Sequence, residues 1–252
     1  MRTFDTFCFF NELELLRIRC EELKHLNVIH VLVEATTTHT GLPKELYFEK
    51  NKELFSEYNI RHIIVDDLPN NGDNWLAENY QRDCILKGLH DANDEDIVIV
   101  TDLDEIPRWQ AVQYYHPQMG VASIQMNKYS YYLNCLEGSQ SWGIGKIATW
   151  EVLKKTTPNK LRNSHETFFS IYYGGWHFAW LGGVDRMFTK LDSFAHQEAN
   201  TAALRNSLEK KYETGQSLWG RDYWAYVQID KSFPKYLQEH QHDEFSHLIK
   251  QI

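Results

Sequence analysis

The strongest chemical signal in the sequence is a cluster of acids that directly follows an unbroken apolar run. Residues 97–100, Ile-Val-Ile-Val, lead into Asp102, Asp104 and Glu105. Asp102 and Asp104 are two positions apart in a chain that is still extended, so their carboxylates can project to the same side. Neighbouring carboxylates repel one another unless a cation joins them. The pattern therefore predicts a divalent metal held by oxygen ligands, which could also grip a diphosphate and make it a better leaving group.

These acids also have a purely structural interpretation. A helix is expected to begin near Pro107, and acids are common just before a helix whose first turn contains proline. Paired aspartates two positions apart are frequent in loops, so spacing alone leaves both interpretations open.

Three more side chains could take part in chemistry at the acidic cluster. His177, within an aromatic stretch, could give a nitrogen ligand to the same ion, and a mixed carboxylate and imidazole shell favours Mn²⁺ over Ca²⁺. A single histidine among aromatic residues is, however, more often a hydrogen-bonded core residue. Arg82 and Lys190 could pair with phosphate or with the acids themselves, or could be ordinary surface charges.

Alternating strand and helix patterns are expected to position these residues. Strands are predicted at 4–10, 28–35, 60–65 and 97–100, and helices at 11–26, 44–58 and about 75–89. Such alternation predicts an α/β fold in which a mostly parallel central sheet is flanked by helices. Beyond Gly120 the pattern is less regular, and aromatic-rich strands are expected near 123–132 and 168–180, with mainly helices from 184 onward.

The carboxyl ends of the predicted strands are where a ligand should bind, because open α/β sheets bind ligands beyond these ends. Asn11 and Glu12 follow the first strand, Glu34 lies near the end of the second, and the acidic cluster follows the fourth. The sequence therefore predicts that side chains far apart in the chain meet at one edge of the sheet.

Composition argues against several classes of protein. The formal net charge is −9 and the 26 Lys and Arg residues are scattered, so we expect no nucleic-acid partner. The apolar stretch at the N-terminus is too short for a signal peptide or a membrane span, and the well-separated cysteines indicate reduced thiols. We therefore expect a cytoplasmic protein without a transmembrane segment. The sequence also lacks the Gly-rich phosphate-binding motifs and the GxSxG motif of serine hydrolases.

Seven segments, in collinear order over nearly the whole chain, carry a likeness to a known family. They are 9–19 (FFNELELLRIR), the region 34–48 that includes GLPKELYF, 78–82 (ENYQR), 102–107 (DLDEIP), 175–178 (GWHF), 188–191 (FTKL) and 234–237 (PKYL). On these segments the chain resembles glycosyltransferase family 17. Residues 137–170 do not align convincingly with that family.

The resemblance implies a GT-A type nucleotide-sugar-binding fold and an inverting, metal-dependent glycosyltransferase. The implied donor is a UDP-sugar, with N-acetylglucosamine as the expected sugar, and the acceptor is a glycan or another saccharide. By position, Asp102 and Asp104 match the metal-binding acids of such enzymes, and His177 resembles their additional C-terminal metal ligand. The implied ion is Mn²⁺, with Mg²⁺ as the second choice.

The same resemblance implies which residues bind the donor. They are expected to be Asn11, Glu12, Glu34, Arg82, Asp102 and Lys190. Glu34 takes the place, after the second strand, where such folds hold the ribose or uracil with an acid. We expect one glycosyltransferase domain over residues 1–252, with a nucleotide-sugar-binding half at about 1–116 and an acceptor-binding half at about 117–252.

An inverting transfer also needs a carboxylate that takes the proton of the acceptor hydroxyl. Asp185 and Glu198 are the predicted candidates, with Glu166 behind them, although each could instead be a helix-capping or surface acid. Two other functions stay open. A metal-dependent phosphohydrolase or nucleotidyltransferase would use the same acids without an acceptor sugar, and a non-catalytic carbohydrate-binding protein would bind glycans independently of metal and nucleotide.

Overall fold

The computed structural model describes residues 1–138, 141–164, 166, 168–220 and 222–252. Ten strands of this described part join one mixed sheet, in the order β10-β7-β6-β8-β4-β1-β2-β3, with β9 paired to β5 and β6. They are β1 (Thr3–Phe9), β2 (Ile29–Ala35), β3 (Ile60–Val65), β4 (Ile97–Val100), β5 (Glu105–Pro107), β6 (Ala122–Ser130), β7 (Cys135–Leu136), β8 (Lys146–Thr149), β9 (Phe169–Ala179) and β10 (Ala225–Tyr226).

Helices flank this sheet. The α-helices are α1 (Leu13–Leu23), α2 (Tyr47–Asn51), α3 (Asn74–Asp83), α4 (Trp109–Tyr114), α5 (Trp150–Leu153), α6 (Pro158–Arg162), α7 (Gly183–Ser193), α8 (Ala202–Thr214) and α9 (Lys235–Glu239). Short 3₁₀ segments lie at Lys24–Leu26, Lys52–Phe55, Cys84–Leu89, Pro117–Met119, Gln197–Ala199 and Ser246–Leu248. Within the described ranges, no helix combines the length and apolar character needed to cross a membrane.

The first four strands along the chain have the parallel arrangement that the sequence predicted. β3 pairs with β2, β2 with β1, and β1 with β4, all in parallel. Both faces of this half are covered, because Leu32 packs in one apolar cluster with Leu16 of α1, whereas Val31 and Val33 pack in another with Ile85. Every residue of β2 is therefore buried, as expected for a central parallel strand.

The other half of the sheet corrects the prediction that the sheet is mostly parallel. β8 pairs antiparallel with β4, and β6 pairs antiparallel with β8 and β7. β5 and β9 are also antiparallel, whereas β6 and β9 are parallel. The apolar run of β4 indicates burial on both faces, and an antiparallel neighbour satisfies that requirement as well as a parallel one.

Candidate functional site

A cavity of about 470 Å³ opens at the carboxyl ends of β1, β2 and β4. Its volume is within the range of roughly 300–1,000 Å³ that is typical of small-molecule sites. Side chains that follow these strands form its wall together with parts of α3, α6 and α7. Among them are Phe10, Glu12, Thr38, His39, Arg82, Asp102, Asp104, Arg162 and Lys190. The cavity therefore lies at the sheet edge where the sequence predicted a ligand.

Asp102 is held between two guanidinium groups. Arg82 Nη2 lies 3.1 Å from Asp102 Oδ1, and Arg162 Nη2 lies 2.6 Å from Asp102 Oδ2. Burial alone would raise the pKa of Asp102, but the charges of Arg162 and Arg82 outweigh it and lower the pKa below its ordinary value. Arg162 also contacts the buried Glu105, with Nη2 2.5 Å from Oε1. Asp102 is therefore ionised, and each of its two oxygens accepts from one guanidinium.

Asp104 has a different set of partners. Lys190 Nζ lies 3.2 Å from Asp104 Oδ2, and His177 Nε2 lies 3.6 Å from Asp104 Oδ1. Burial would raise the pKa of Asp104, but Lys190 and then His177 lower it well below its usual range. The ring of His177 also packs on Trp142, with 4.5 Å between centroids, and Trp142 Nε1 donates to Glu105 Oε1 at 2.5 Å.

The repulsion expected between the two aspartates is thus offset by side chains of the protein itself. Arg82 and Lys190 pair with the acids, which is one of the alternatives that the sequence left open for them. The helix-capping interpretation of the acids was wrong. Residues Glu105–Pro107 form β5, and α4 begins only at Trp109, with Arg108 at its N-cap.

Arg19 shapes the backbone of the acidic turn, and it was not predicted from the sequence. Its guanidinium is fully buried and donates to the carbonyls of Asp102 at 2.8 Å, Leu103 at 3.2 Å and Glu105 at 2.9 Å. Asp5, also fully buried, accepts from Arg19 Nε at 2.8 Å. An arginine on the apolar face of α1 and an aspartate inside an apolar strand were the available signal, because buried charges are retained only when paired.

Arg162 is the second functional residue that the sequence analysis missed. It is buried at the end of the five-residue helix α6, within the stretch that did not align with the resembled family. A helix this short leaves no clear periodicity, and a single arginine carries no spacing signal. Only the tertiary fold brings it to Asp102 and Glu105.

The structure separates the predicted donor-binding residues into two groups. Glu12, Arg82, Asp102 and Lys190 line the large cavity, and Asn11 lines a small adjoining one. Glu34 lines neither of these two. Its carboxylate is fully buried, accepts from Phe48 N at 3.0 Å and lies 2.9 Å from His62 Nε2. These contacts give Glu34 a structural role, and its assignment to the nucleoside stays an untested prediction.

The predicted general bases lie outside the lining of the large cavity. Asp185 is exposed in the first turn of α7. Glu198 is also exposed, and its Oε1 lies 2.7 Å from Nδ1 of His196, which does line the cavity. Glu166 is exposed, and its backbone N–H donates to Ser164 Oγ. The assignment of Asp185 or Glu198 as the base therefore remains a prediction.

The side chains around Asp104 fit a metal ion only in part. In the described ranges, no group of three or more His, Cys, Asp and Glu side chains is arranged to hold one. Asp104 Oδ1 and His177 Nε2 are close enough to contact the same ion, whereas each oxygen of Asp102 accepts from one guanidinium and keeps a lone pair for an ion. An ion at this place would need further oxygen ligands, which a bound diphosphate can supply.

A comparison with protein-family models gives one match over most of the chain. Residues 1–216 match the model of Glycosyltransferase family 17. No curated protein matches the chain. The matched range includes all the cavity residues described above, from Phe10 to Lys190.

Proposed function

Because the chain belongs to glycosyltransferase family 17, we propose that it transfers a sugar from a UDP-sugar to a saccharide acceptor. We propose that the sugar is N-acetylglucosamine and that the anomeric carbon is inverted, within a GT-A type fold. The membership itself supports a glycosyltransferase; donor, acceptor, stereochemistry and metal are parts of this proposal. The observation that carries it is the convergence of three cations on one cavity at the carboxyl edge of the sheet.

These cations are Arg82, Arg162 and Lys190, and all three line the cavity. Arg82 and Arg162 are buried, and in the described part of the structure the Nε–H of each has no hydrogen-bond partner. Arg82 already contacts the carboxylates of Glu78 and Asp102, and Arg162 contacts those of Asp102 and Glu105. A guanidinium has five N–H donors in a fixed plane, so both side chains retain donors for a phosphate as a third anion. A diphosphate is the dianionic group that a nucleotide-sugar donor would place there.

In the proposed reaction an acceptor hydroxyl attacks the anomeric carbon and gives its proton to a carboxylate base, for which Asp185 and Glu198 remain the predicted candidates. The bond from the anomeric carbon to the diphosphate breaks, and negative charge develops on the departing diphosphate. Preorganised cations stabilise that charge without reorganising during the reaction, and Arg82, Arg162 and Lys190 supply them. The proposed metal ligands are Asp102, Asp104 and His177, and a bound Mn²⁺ or Mg²⁺ would add Lewis-acid stabilisation of the leaving group. Inversion follows if the acceptor approaches the face opposite to the diphosphate.

The test is a transfer and hydrolysis screen across UDP-sugars with Mn²⁺, run with and without sugar acceptors. We expect product only when an acceptor is present, and we expect Asp104→Asn to abolish it. The matched control is Asp94→Asn, which removes the same charge from an exposed ion pair with Lys154 and should leave the rate unchanged. Donor hydrolysis that ignores the acceptor would favour the phosphohydrolase, and glycan binding indifferent to UDP and EDTA would favour a binding protein.

A further inference from the structure

The large cavity has two parts with different chemistry. In one part, cationic side chains surround Asp102 and Asp104. In the other part, the wall is formed by four aromatic rings, those of His39, Trp75, Phe194 and His196. None of these four was singled out by the sequence analysis, and the proposed chemistry does not use them.

Trp75 has the largest of the four rings; the residue is 40% exposed and lines the cavity. The ring of His196 meets the indole at 4.3 Å between centroids and at an angle of 79°. His196 in turn packs on Phe194 at 5.7 Å, and its Nδ1 lies 2.7 Å from Glu198 Oε1. The ring of His196 therefore supports the indole of Trp75, and His196 is itself held in place by Phe194 and Glu198. Part of the surface of Trp75 remains exposed.

Hydrogen bonds to backbone carbonyls join the segments that carry these rings. His39 N donates to Ser193 O at 3.2 Å, and Thr40 Oγ1 donates to Asp192 O at 2.9 Å. These bonds tie the loop after β2 to the end of α7. On the inner side, Gln81 Oε1 lies 2.8 Å from His39 Nε2. Helix α3, the end of α7 and the loop after β2 therefore form the aromatic part of the cavity together, and hydrogen bonds connect them.

Helix α3 sets the distance between the two parts of the cavity. Trp75, Glu78 and Arg82 occupy positions i, i+3 and i+7, so they share one face of the helix, and all three line the cavity. Seven residues of α-helix span about 10.5 Å. An aromatic ring and a phosphate-binding cation are therefore held two helical turns apart on a rigid element.

We propose that Trp75, with His196 beside it, stacks on the nucleobase of the donor while Arg82 binds its phosphates. This inference rests on the proposed function, because it requires a nucleotide donor. A nucleoside diphosphate carries a flat aromatic ring at one end and the phosphates at the other, with the ribose between them, and the face of α3 presents the matching groups in the same order. Stacking on an aromatic side chain suits a base, because every base has a π face.

The acceptor sugar is the other occupant to which an exposed indole could bind. The base is favoured because Trp75 and Arg82 share one helix face, so a ligand held by Arg82 through its phosphates extends along α3 towards Trp75. Asn163, Ile144 and Trp142 line the cavity as well. They lie on segments of the chain other than α3.

The proposal is tested by measuring the affinities for UDP and for inorganic pyrophosphate by calorimetry. The measurements compare the parent protein with the variants Trp75→Ala and Trp75→Phe. We expect Trp75→Ala to weaken UDP binding by about ten- to hundred-fold, the loss typical of one base–aromatic stack. Pyrophosphate affinity should stay unchanged, because pyrophosphate has no base. Trp75→Phe keeps a stacking face and should restore most of the UDP affinity. The control is Trp219→Ala, which removes a 57% exposed tryptophan outside the wall of this cavity.

The remaining outcomes refute either base stacking by Trp75 or the proposed function itself. Unchanged UDP affinity in Trp75→Ala, together with a raised KM for the acceptor, assigns Trp75 to the acceptor and refutes base stacking. Equal affinity of the parent for UDP and pyrophosphate also refutes it, while leaving the phosphate site in place. A parent protein that binds neither ligand refutes the proposed function, and this inference with it.

Discussion

The guanidinium of Arg19 lies against the carboxylate of Asp5 in the interior of the protein, with Nη2 2.5 Å from Oδ1 and neither side chain exposed. The same guanidinium donates to three backbone carbonyls of the turn that carries Asp102 and Asp104. His30 Nδ1 lies 2.8 Å from the second oxygen of Asp5. The position of the acidic turn therefore depends on an ion pair between α1 and β1, beneath the cavity rather than in it.

Replacement of Arg19 by lysine should destabilise the protein and disturb the acidic turn together. One ammonium cannot reach Asp5 and three carbonyls, so buried acceptors are left unpaired. We expect a loss of about 2–4 kcal/mol in the free energy of unfolding, measured by urea denaturation, and weaker UDP binding by the folded fraction. The control is Arg205→Lys on α8, where the ion pair with Asp192 is largely exposed and should contribute little. Equal stability of the two variants would refute the role of Arg19.

Arg162 should bind the diphosphate in addition to supporting Asp102. Arg162→Met should weaken both UDP and pyrophosphate binding by about ten-fold or more, the cost of losing charge-assisted hydrogen bonds. Arg162→Lys should fall between the parent and the methionine variant, because it keeps the charge but not the planar donors. Lys160→Met, an exposed change on the same helix, is the control. If calorimetry shows parental affinities in Arg162→Met, Arg162 only supports the acids.

Part of the fold was predictable because the composition of some single segments was enough to identify them as strands. The runs that became β2 and β4 are mostly β-branched and apolar, and burial on both faces of a sheet favours that composition. The direction of the next strands depends on which segments meet in space. Nothing in residues 146–149 distinguishes an antiparallel β8 from a parallel one, so the mixed sheet could not be predicted from local pattern.

The candidate site was also predictable only in part. Asp102 and Asp104 form a local pattern and were found, whereas Arg162 reaches them only through the fold. For Glu34, the sequence pattern was present but did not determine the role of the residue. An acid at the end of a strand is consistent with a ligand contact and with a buried structural pair, and only the positions of Phe48 and His62 distinguish the two.

Glu22 should make stability depend on pH near neutrality. Burial raises the pKa of Glu22 to about 7, against a weaker opposing effect of the hydrogen bond from Trp109 N. Between its ordinary value of 4.5 and about 7, the folded protein holds a proton that the unfolded chain has lost, so the free energy of unfolding falls as pH rises. Glu22→Gln stays neutral and should be more stable than the parent by about 1–3 kcal/mol at pH 8, and similar to it at pH 4. Denaturation at both pH values tests this, with Glu53→Gln on the surface as the control.

His177 should bind the metal together with Asp104, and two substitutions separate this role from packing. His177 is 7% exposed, its Nε2 faces Asp104 at 3.6 Å, and its ring lies on Trp142. His177→Phe keeps an aromatic ring but has no nitrogen, whereas His177→Ala loses both. If His177 is a ligand, both variants should bind Mn²⁺ at least about ten-fold more weakly in the presence of UDP. Only the alanine variant should melt early without metal, since it alone leaves a cavity beside Trp142.

A phenylalanine variant that binds Mn²⁺ and UDP like the parent would show that His177 only packs. The aspartates and the donor oxygens would then be the remaining proposed ligands.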